Sequence, residues 1–364
     1  MRIAILADCH LGFGKGTERY QDAFLAFEEA FKKLRDVDAV LIAGDLFDLR
    51  TPDHEMMAKT MEIMLPLILA EKSMKKIEGI GRDLPGYFKK GIPIIAISGT
   101  HERRSRGLMN PIQALEKAGF LIWLHCNGVV LEKDGERIAI QGMSTVPEGW
   151  AESVMQEWDP KPVENCFNIL VFHQTPLGLF PGVAGLDLRK LPEGFDLYVC
   201  GHIHQAEEKQ VAGKRIFIPG SLISTQIDDQ NQKGFWILEN GKLEFIRLEK
   251  QRPIFSVKTE EELEKVLEKG YELKPIIRVS VEGKEKEIRA KYGEKAILVF
   301  EKTQKPEVQA VSPEVQRLSV QELGSKILKE SLEKAGLQPE IWEQVFELLL
   351  EQKPEEVLKL LRKE

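Results

Sequence analysis

The chain has 364 residues and a formal net charge of −7, with 51 basic and 58 acidic side chains. This length supports two or three domains and a large core. The acidic balance argues against a protein that wraps nucleic acid on a broad basic face, so any such contact should be local. The longest apolar run, near residues 63 to 70, is too short to span a bilayer and contains Pro66, and we therefore expect a soluble, cytoplasmic protein without a membrane partner.

Polar side chains follow several apolar runs that read as buried strands. The run from Ala39 to Ala43 ends in Gly44 and Asp45, and the same order of strand and then polar residue recurs at residues 3–10, 94–102, 169–173 and 197–204. Ligands of α/β sheets bind at the carboxyl edge of the strands. Five of the seven histidines fall there, namely His10, His101, His173, His202 and His204. On extended backbone, Asp8 with His10 and His202 with His204 would point to the same face. The mixed nitrogen and oxygen set favours Mn, Fe, Co or Zn.

The intervening segments alternate helices with further strands. Residues 20–35 predict a one-sided helix, and residues 54–70 predict a methionine-rich helix that is apolar on more than one side. Residues 72–90 read as a flexible basic loop, and Asn110 with Pro111 opens another helix. Strands near residues 121–124, 129–132 and 138–143 predict a second sheet, with a hairpin turn at Asp134 and Gly135.

The carboxyl-terminal third reads as two further units. After Arg252 and Pro253, a pattern of strand, helix and strand predicts a small α/β domain of about fifty residues, too small for a rich core of its own. A polar linker follows over residues 303–318. Residues 319–364 open with the capping box Ser319 to Glu322 and predict amphipathic helices whose apolar stripes need a helical partner or the chain's own first domain.

The motif series resembles the calcineurin-like metallophosphoesterases, in their DNA-repair nuclease branch of the Mre-eleven or SbcD type. The motifs are Asp8-x-His10, Gly44-Asp45-x-x-Asp48, Gly99-Thr100-His101-Glu102, His173 and Gly201-His202-x-His204, with residues 103–107, 191–194 and 219–221 supporting the branch. The resemblance implies an α/β fold in which a two-layer β-sandwich is flanked by helices. It implies a nuclease domain over residues 1–250, a capping domain over 251–302 and a partner-binding helical segment over 319–364.

The resemblance also implies a centre with two Mn²⁺ ions per chain. One ion would bind Asp8, His10, Asp45 and His204, and the other would bind Asp45, Thr100, His173 and His202, so that Asp45 bridges them. Such a pair clamps a phosphodiester and activates a water. His101 would orient the phosphate or protonate the leaving oxygen.

Position 100 departs from the family pattern, which has asparagine there. A threonine hydroxyl is a shorter and weaker ligand than an amide carbonyl, so we expect a weakened second metal site. Glu102 replaces a commoner aspartate but keeps the carboxylate.

Partners follow from the same reasoning. Arg103, Arg104 and Arg106 come directly after His101 and are candidates to grip DNA phosphates, with ordinary surface salt bridges as the alternative. The resemblance implies a homodimer built from the helices after residues 54 and 110. It also implies that the terminal helices bind an ABC-type ATPase of the Rad-fifty or SbcC type.

Three functions fit these features: a manganese-dependent DNA exonuclease and endonuclease of double-strand-break repair, a phosphodiesterase for a small molecule such as a cyclic nucleotide, and a catalytically weak scaffold in which Thr100 impairs the centre. The capping unit and the apolar tail favour the first, because a small-molecule enzyme needs neither.

Overall fold

The computed structural model of the chain describes residues 1–71, 74–105, 107–179, 184–229, 231–281 and 284–300. One compact unit extends from Met1 to Val299. The predicted linker and terminal helices, residues 303–364, lie outside the described residues. Within the described part, no helix is both long enough and apolar enough to cross a membrane.

The first sheet contains six strands in the order β13-β12-β1-β2-β4-β5. Its strands are β1 (Arg2–Leu6), β2 (Ala39–Ala43), β4 (Ile94–Ile97), β5 (Ile122–Trp123), β12 (Gly234–Glu239) and β13 (Lys242–Arg247). The neighbours β1, β2, β4 and β5 pair parallel, so their carboxyl ends lie at one edge of the sheet. The strand β12 pairs antiparallel with both β1 and β13.

The second sheet contains seven strands in the order β10-β11-β9-β8-β7-β6-β3. Its strands are β3 (Lys76–Ile80), β6 (Asn127–Lys133), β7 (Glu136–Met143), β8 (Phe167–His173), β9 (Leu197–Gly201), β10 (Glu207–Val211) and β11 (Lys214–Ile218). The three central strands β7, β8 and β9 are parallel, so they also end at a common edge.

The two sheets pack face to face around one apolar layer, to which alternate residues of β1 and β2 such as Ile3, Ile5 and Leu41 contribute. A second core lies between the first sheet and the helices α1 (Tyr20–Lys33), α2 (His54–Ile68) and α3 (Pro111–Lys117), and a third core includes α4 (Ala151–Trp158). This arrangement confirms the predicted α/β class and the two-layer sandwich.

Two sequence predictions about the sheets are wrong. The segment predicted as a flexible loop contains β3, which pairs antiparallel with β6 and forms the edge of the second sheet. Only Ile77 of this strand is buried, so the sequence has too few inward apolar residues to reveal it. The strand near residue 122 belongs to the first sheet, because β5 pairs parallel with β4. The predicted hairpin is present, with positive φ at Asp134 and Gly135.

A small three-stranded unit follows Arg252. It comprises β14 (Ile254–Val257), α5 (Glu260–Glu268), β15 (Ile276–Val279), α6 (Glu285–Tyr292) and β16 (Ile297–Phe300), with the sheet order β14-β15-β16. Arg252 ties it to α1: the guanidinium donates to both carboxylate oxygens of Asp22, at 2.7 and 2.9 Å, and both side chains are almost fully buried.

We expect Arg252→Ala to destabilise the chain by about 1–3 kcal/mol, because it removes the donors of a buried carboxylate while Arg19 still pairs with Asp22. Thermal or urea unfolding measures the change. Lys274→Ala, which breaks the exposed pair with Glu18 at the same contact, is the control and should cost less than about 1 kcal/mol. Equal effects of the two substitutions would contradict this ranking.

Candidate metal centre

The carboxyl edges of both sheets meet at one cluster of carboxylates and imidazoles. In the described part of the chain, three groups each have ligand atoms within 4.8 Å of one another: Asp8, His10 and His204; His10, Asp45 and His101; and Asp45, His173 and His202. Asp8, His10, Asp45 and His173 are buried, and His202 and His204 are half-buried. The structure therefore brings together the seven residues that form these groups.

The backbone at this edge is left-handed and not extended. Asp8, His10, Asp45 and His202 have φ of 48°, 49°, 47° and 85°. The prediction that Asp8 with His10, and His202 with His204, share a face on extended backbone is therefore wrong in its geometry. Such conformations cost on the order of 1–3 kcal/mol each in non-glycine residues. Hydrogen bonds offset part of this cost, because the Asp8 and His10 N–H groups donate to the carbonyls of Gly44 and Asp45.

Glycines at the strand ends let the ligands approach. A Cβ at Gly44, whose φ is +92°, would lie 2.2 Å from His173 Nδ1, and a Cβ at Gly99 would lie 2.2 Å from Asp45 Oδ1. Both positions therefore exclude any side chain. The glycine predicted to allow a sharp turn after β2 also makes room for an imidazole from the other sheet.

Three of the imidazoles are oriented through the nitrogen that faces away from the centre. His173 Nδ1 lies 2.9 Å from the Ala43 carbonyl, His10 Nδ1 lies 2.9 Å from Asp48 Oδ1, and His204 Nδ1 lies 2.9 Å from Thr225 Oγ1. With the proton on Nδ1, the Nε2 lone pair of each ring points into the cluster. This is the tautomer that a metal-binding imidazole needs.

The cluster fits a cation. His10 Nε2 and His204 Nε2 face each other at 3.0 Å, and two lone pairs in that position repel unless a proton or a metal lies between them. Asp8 Oδ1 is buried and has no hydrogen-bond partner in the described part of the chain. A buried carboxylate oxygen without a donor is costly, so Asp8, His10 and His204 together satisfy the requirements of a metal ligand set.

Burial and close neighbours shift the ionisation of the side chains in the cluster. Burial raises the pKa of Asp8 to about 6. Burial alone would lower the pKa of His173, but the charge and hydrogen bond of Asp45 raise it to about 10. Burial and neighbouring imidazoles lower the pKa of His202 and of His204 to about 4. A buried imidazolium thus balances Asp45 when no cation is bound, and a divalent cation would displace that proton.

Position 100 lies beside the group formed by Asp45, His173 and His202. Thr100 Oγ1 is 3.5 Å from His202 Nδ1, so the hydroxyl is close to the imidazole that would share the second ion. We expect Thr100→Asn to strengthen the weaker of two Mn²⁺ binding events several-fold, because an amide carbonyl reaches further and is a better neutral oxygen ligand. Calorimetric Mn²⁺ titration of the two proteins tests this expectation, and unchanged affinity at both sites would contradict it.

Two carboxylates outside the three ligand groups organise the site, and the sequence did not assign their contacts. Glu102 is fully buried and accepts the backbone N–H groups of Phe47 and Gly99, each at 2.8 Å, which joins the loops after β2 and β4. Burial, together with the charge of Asp45, raises its pKa to about 8. Asp48 lies 2.9 Å from His10 Nδ1 and 3.3 Å from His101 Nδ1, so it faces both rings. The sequence did contain a signal for these two residues, because both carboxylates stand inside the predicted metal-binding motifs.

The remaining predicted residues are more peripheral. His101 exposes 44% of its side chain, and its backbone N–H donates to Asp45 Oδ1 at 2.9 Å. Arg103 and Arg104 are half-buried, and Arg104 reaches the Arg50 carbonyl at 3.5 Å. Arg106 lies outside the described residues.

Comparisons with known proteins point in the same direction as the geometry. A family model described as calcineurin-like phosphoesterase matches residues 1–206. The chain is 28% identical over 313 residues to the DNA double-strand break repair protein Mre11 of Methanopyrus kandleri, covering 76% of this chain and 65% of that protein. It is 26% identical over 329 residues to Mre11 of Archaeoglobus fulgidus, covering 78% and 67%. It is 27% identical over 278 residues to the double-strand break repair protein MRE11 of Oryza sativa subsp. indica, covering 64% and 39%. The chain thus spans less than two thirds of two of these relatives.

Proposed function

Because the chain belongs to the calcineurin-like phosphoesterase family, we propose that it is a manganese-dependent DNA exonuclease and endonuclease that acts in double-strand-break repair. The observation that carries the proposal is the convergence of Asp8, Asp45 and four imidazoles, with His101 beside them, at one edge of the sandwich. The likeness to Mre11 proteins of archaea and a plant favours DNA over a small phosphodiester.

The proposed centre holds two Mn²⁺ ions, with Asp8, His10, Asp45 and His204 around one and Asp45, Thr100, His173 and His202 around the other. When bound, the ions supply a water of lowered pKa and positive charge for the phosphate oxygens. Asp45 is suited to bind both ions because it lies between their other ligands. One of its carboxylate oxygens lies 3.2 Å from His173 Nε2. On the other side, Asp45 shares a ligand group with His10, which also forms a group with Asp8.

His101 is proposed to act on the substrate and not on the metals. Its ring packs edge-on to that of His10 at 4.9 Å, and its Nδ1 faces Asp48, which leaves Nε2 directed away from this contact. The exposed ring can then donate a proton to the leaving oxygen or hydrogen-bond a phosphate oxygen. Arg103 and Arg104 would hold the neighbouring phosphates, and Arg106 is proposed for the same role on the strength of its sequence position.

The test is cleavage of linear duplex DNA by the full chain in Mn²⁺, with EDTA and a small phosphodiester as parallel arms. DNA degradation that EDTA abolishes is the expected result. Turnover of the small phosphodiester without DNA cleavage would support the phosphodiesterase alternative instead. Inactivity on both substrates would overturn the enzymatic proposal and favour the scaffold in which Thr100 weakens the centre.

Two partners complete the proposal. A homodimer through the α2 and α3 region is supported by apolar side chains exposed there, at Leu65, Leu69, Leu108 and Met109. Sedimentation equilibrium tests it, and a monomer at micromolar concentration would overturn it.

An ABC-type ATPase of the Rad-fifty or SbcC type is proposed as the partner of residues 319–364 from their amphipathic sequence. Loss of ATPase binding on deletion of those residues is the expected result, and retained binding would overturn the assignment.

A further inference from the structure

The residues after β11, Ser221 to Asp229 and Asn231 to Lys233, lie against the metal centre. Thr225 Oγ1 lies 2.9 Å from His204 Nδ1, which fixes the ring from behind. The backbone of these residues also contacts Asp8, because the Leu222 N–H donates to the Asp8 main-chain carbonyl at 3.4 Å. One loop therefore contacts two of the three residues in the first group.

A buried lysine holds the backbone of His204. Lys233 is 4% exposed, and its ammonium donates to the His204 carbonyl at 3.2 Å and to Ser221 Oγ at 3.0 Å. Ser221 N–H donates to the same carbonyl at 3.1 Å. A buried ammonium is costly unless its donors are used, and Asp229 completes the set with an ion pair.

The ring and the backbone of His204 are thus fixed from two directions. By contrast, His202 has a hydroxyl at the longer distance of 3.5 Å from its Nδ1. A ligand in an irregular loop after β9 has no strand hydrogen bonds to hold it, so its direction depends on such contacts. Outer contacts of this kind typically change metal affinity by about 10- to 100-fold when they are removed.

We propose that Thr225 and Lys233 are positioning residues for the metal ligand His204, and that they set the affinity of the metal site formed with Asp8 and His10. Thr225 holds the imidazole in the tautomer whose Nε2 faces the centre, and Lys233 holds the main chain that carries the ring. This inference rests on the proposed metal-dependent function.

The experiment counts Mn²⁺ ions bound by the full chain and measures their affinities by calorimetry, without DNA. Thr225→Val keeps the shape of the side chain and removes the hydroxyl, and we expect it to weaken one of two binding events by about 10- to 100-fold while the other is unchanged. Thr225→Ser restores the hydroxyl and should restore the affinity. The double variant Lys233→Met with Asp229→Asn removes both charges together, so that neither is stranded, and should weaken the same event.

The control is Thr259→Val, which removes a hydroxyl that caps α5, with the Glu262 N–H as its partner. It should lower thermal stability without changing Mn²⁺ binding, which separates positioning from a general loss of structure. Wild-type protein that binds no Mn²⁺ would overturn the proposed metal function itself. The other decisive outcome is that the wild type binds two ions and that both folded variants, Thr225→Val and the double variant, bind them with unchanged affinities. This outcome would overturn the positioning role and leave the proposed metal function intact.

Discussion

Replacing His101 with glutamine is expected to reduce phosphodiester hydrolysis by about 10²- to 10⁴-fold, the usual contribution of a positioned general acid or base. The amide can still hydrogen-bond but cannot transfer a proton. Because the His101 side chain is 44% exposed while its backbone N–H holds Asp45, the substitution should leave the proposed metal ligands in place. Steady-state rates on duplex DNA and on a small phosphodiester, measured with Mn²⁺ binding, test both halves of this expectation.

His54→Gln is the matched control, because His54 is exposed at the start of α2 and contributes to none of the ligand groups. It should retain wild-type rates. If His101→Gln lost Mn²⁺ together with activity, His101 would be a metal ligand, which its place in the group with His10 and Asp45 allows. If His101→Gln kept full activity, proton transfer would have to come from elsewhere.

The strand ends were predictable from the sequence because a buried parallel strand has a simple signature. Runs such as Ala39–Ala43 have no polar interruption, and the polar residue that follows must lie at the edge of the sheet. That rule was enough to gather Asp8, Asp45, His173 and His202 at one place. The edge strands of the two sheets were harder to predict. The strand β3 buries only one side chain and β5 has only two residues, so neither has a clear apolar pattern.

The contacts behind the ligands were not predictable, because they depend on residues that are distant in sequence. Glu102 bonds the N–H of Phe47 across 55 positions, and Thr225 meets His204 across 21. Neither distance leaves a periodic trace in the sequence. The left-handed backbone at Asp8 and His10 is equally hidden, since strand periodicity says nothing about the residues just beyond a strand.

Asp45→Asn is expected to weaken Mn²⁺ binding by more than about 100-fold and to abolish measurable hydrolysis, since losing a contact behind a ligand already costs about 10- to 100-fold. Asp45 groups with ligands on both sides, so its loss should affect both binding events. Asp134→Asn is the control, because it makes the same change at a similar positive φ, 51° against 47°, in the turn between β6 and β7. Two intact binding events in Asp45→Asn would contradict a bridging role.

The same variant should change how stability depends on pH. In metal-free protein, burial opposes the charged form of His173, but Asp45, with Asp8 and the Ala43 carbonyl, raises the pKa of His173 from 6.5 to about 10. The pair of His173 and Asp45 therefore stabilises the fold fully below pH 6.5, and this contribution is lost as pH rises towards 10. Unfolding midpoints in EDTA should therefore fall across this pH window in the wild type and fall less in Asp45→Asn.

If His173 binds Mn²⁺ as proposed, the metal must displace the His173 proton. The affinity of the wild type for Mn²⁺ should then rise with pH, and binding should release protons, which calorimetry in buffers of different ionisation enthalpy measures. Affinity independent of pH between 6 and 8 would mean that His173 is not a ligand, and the group of Asp45, His173 and His202 would then lack its buried imidazole as a ligand.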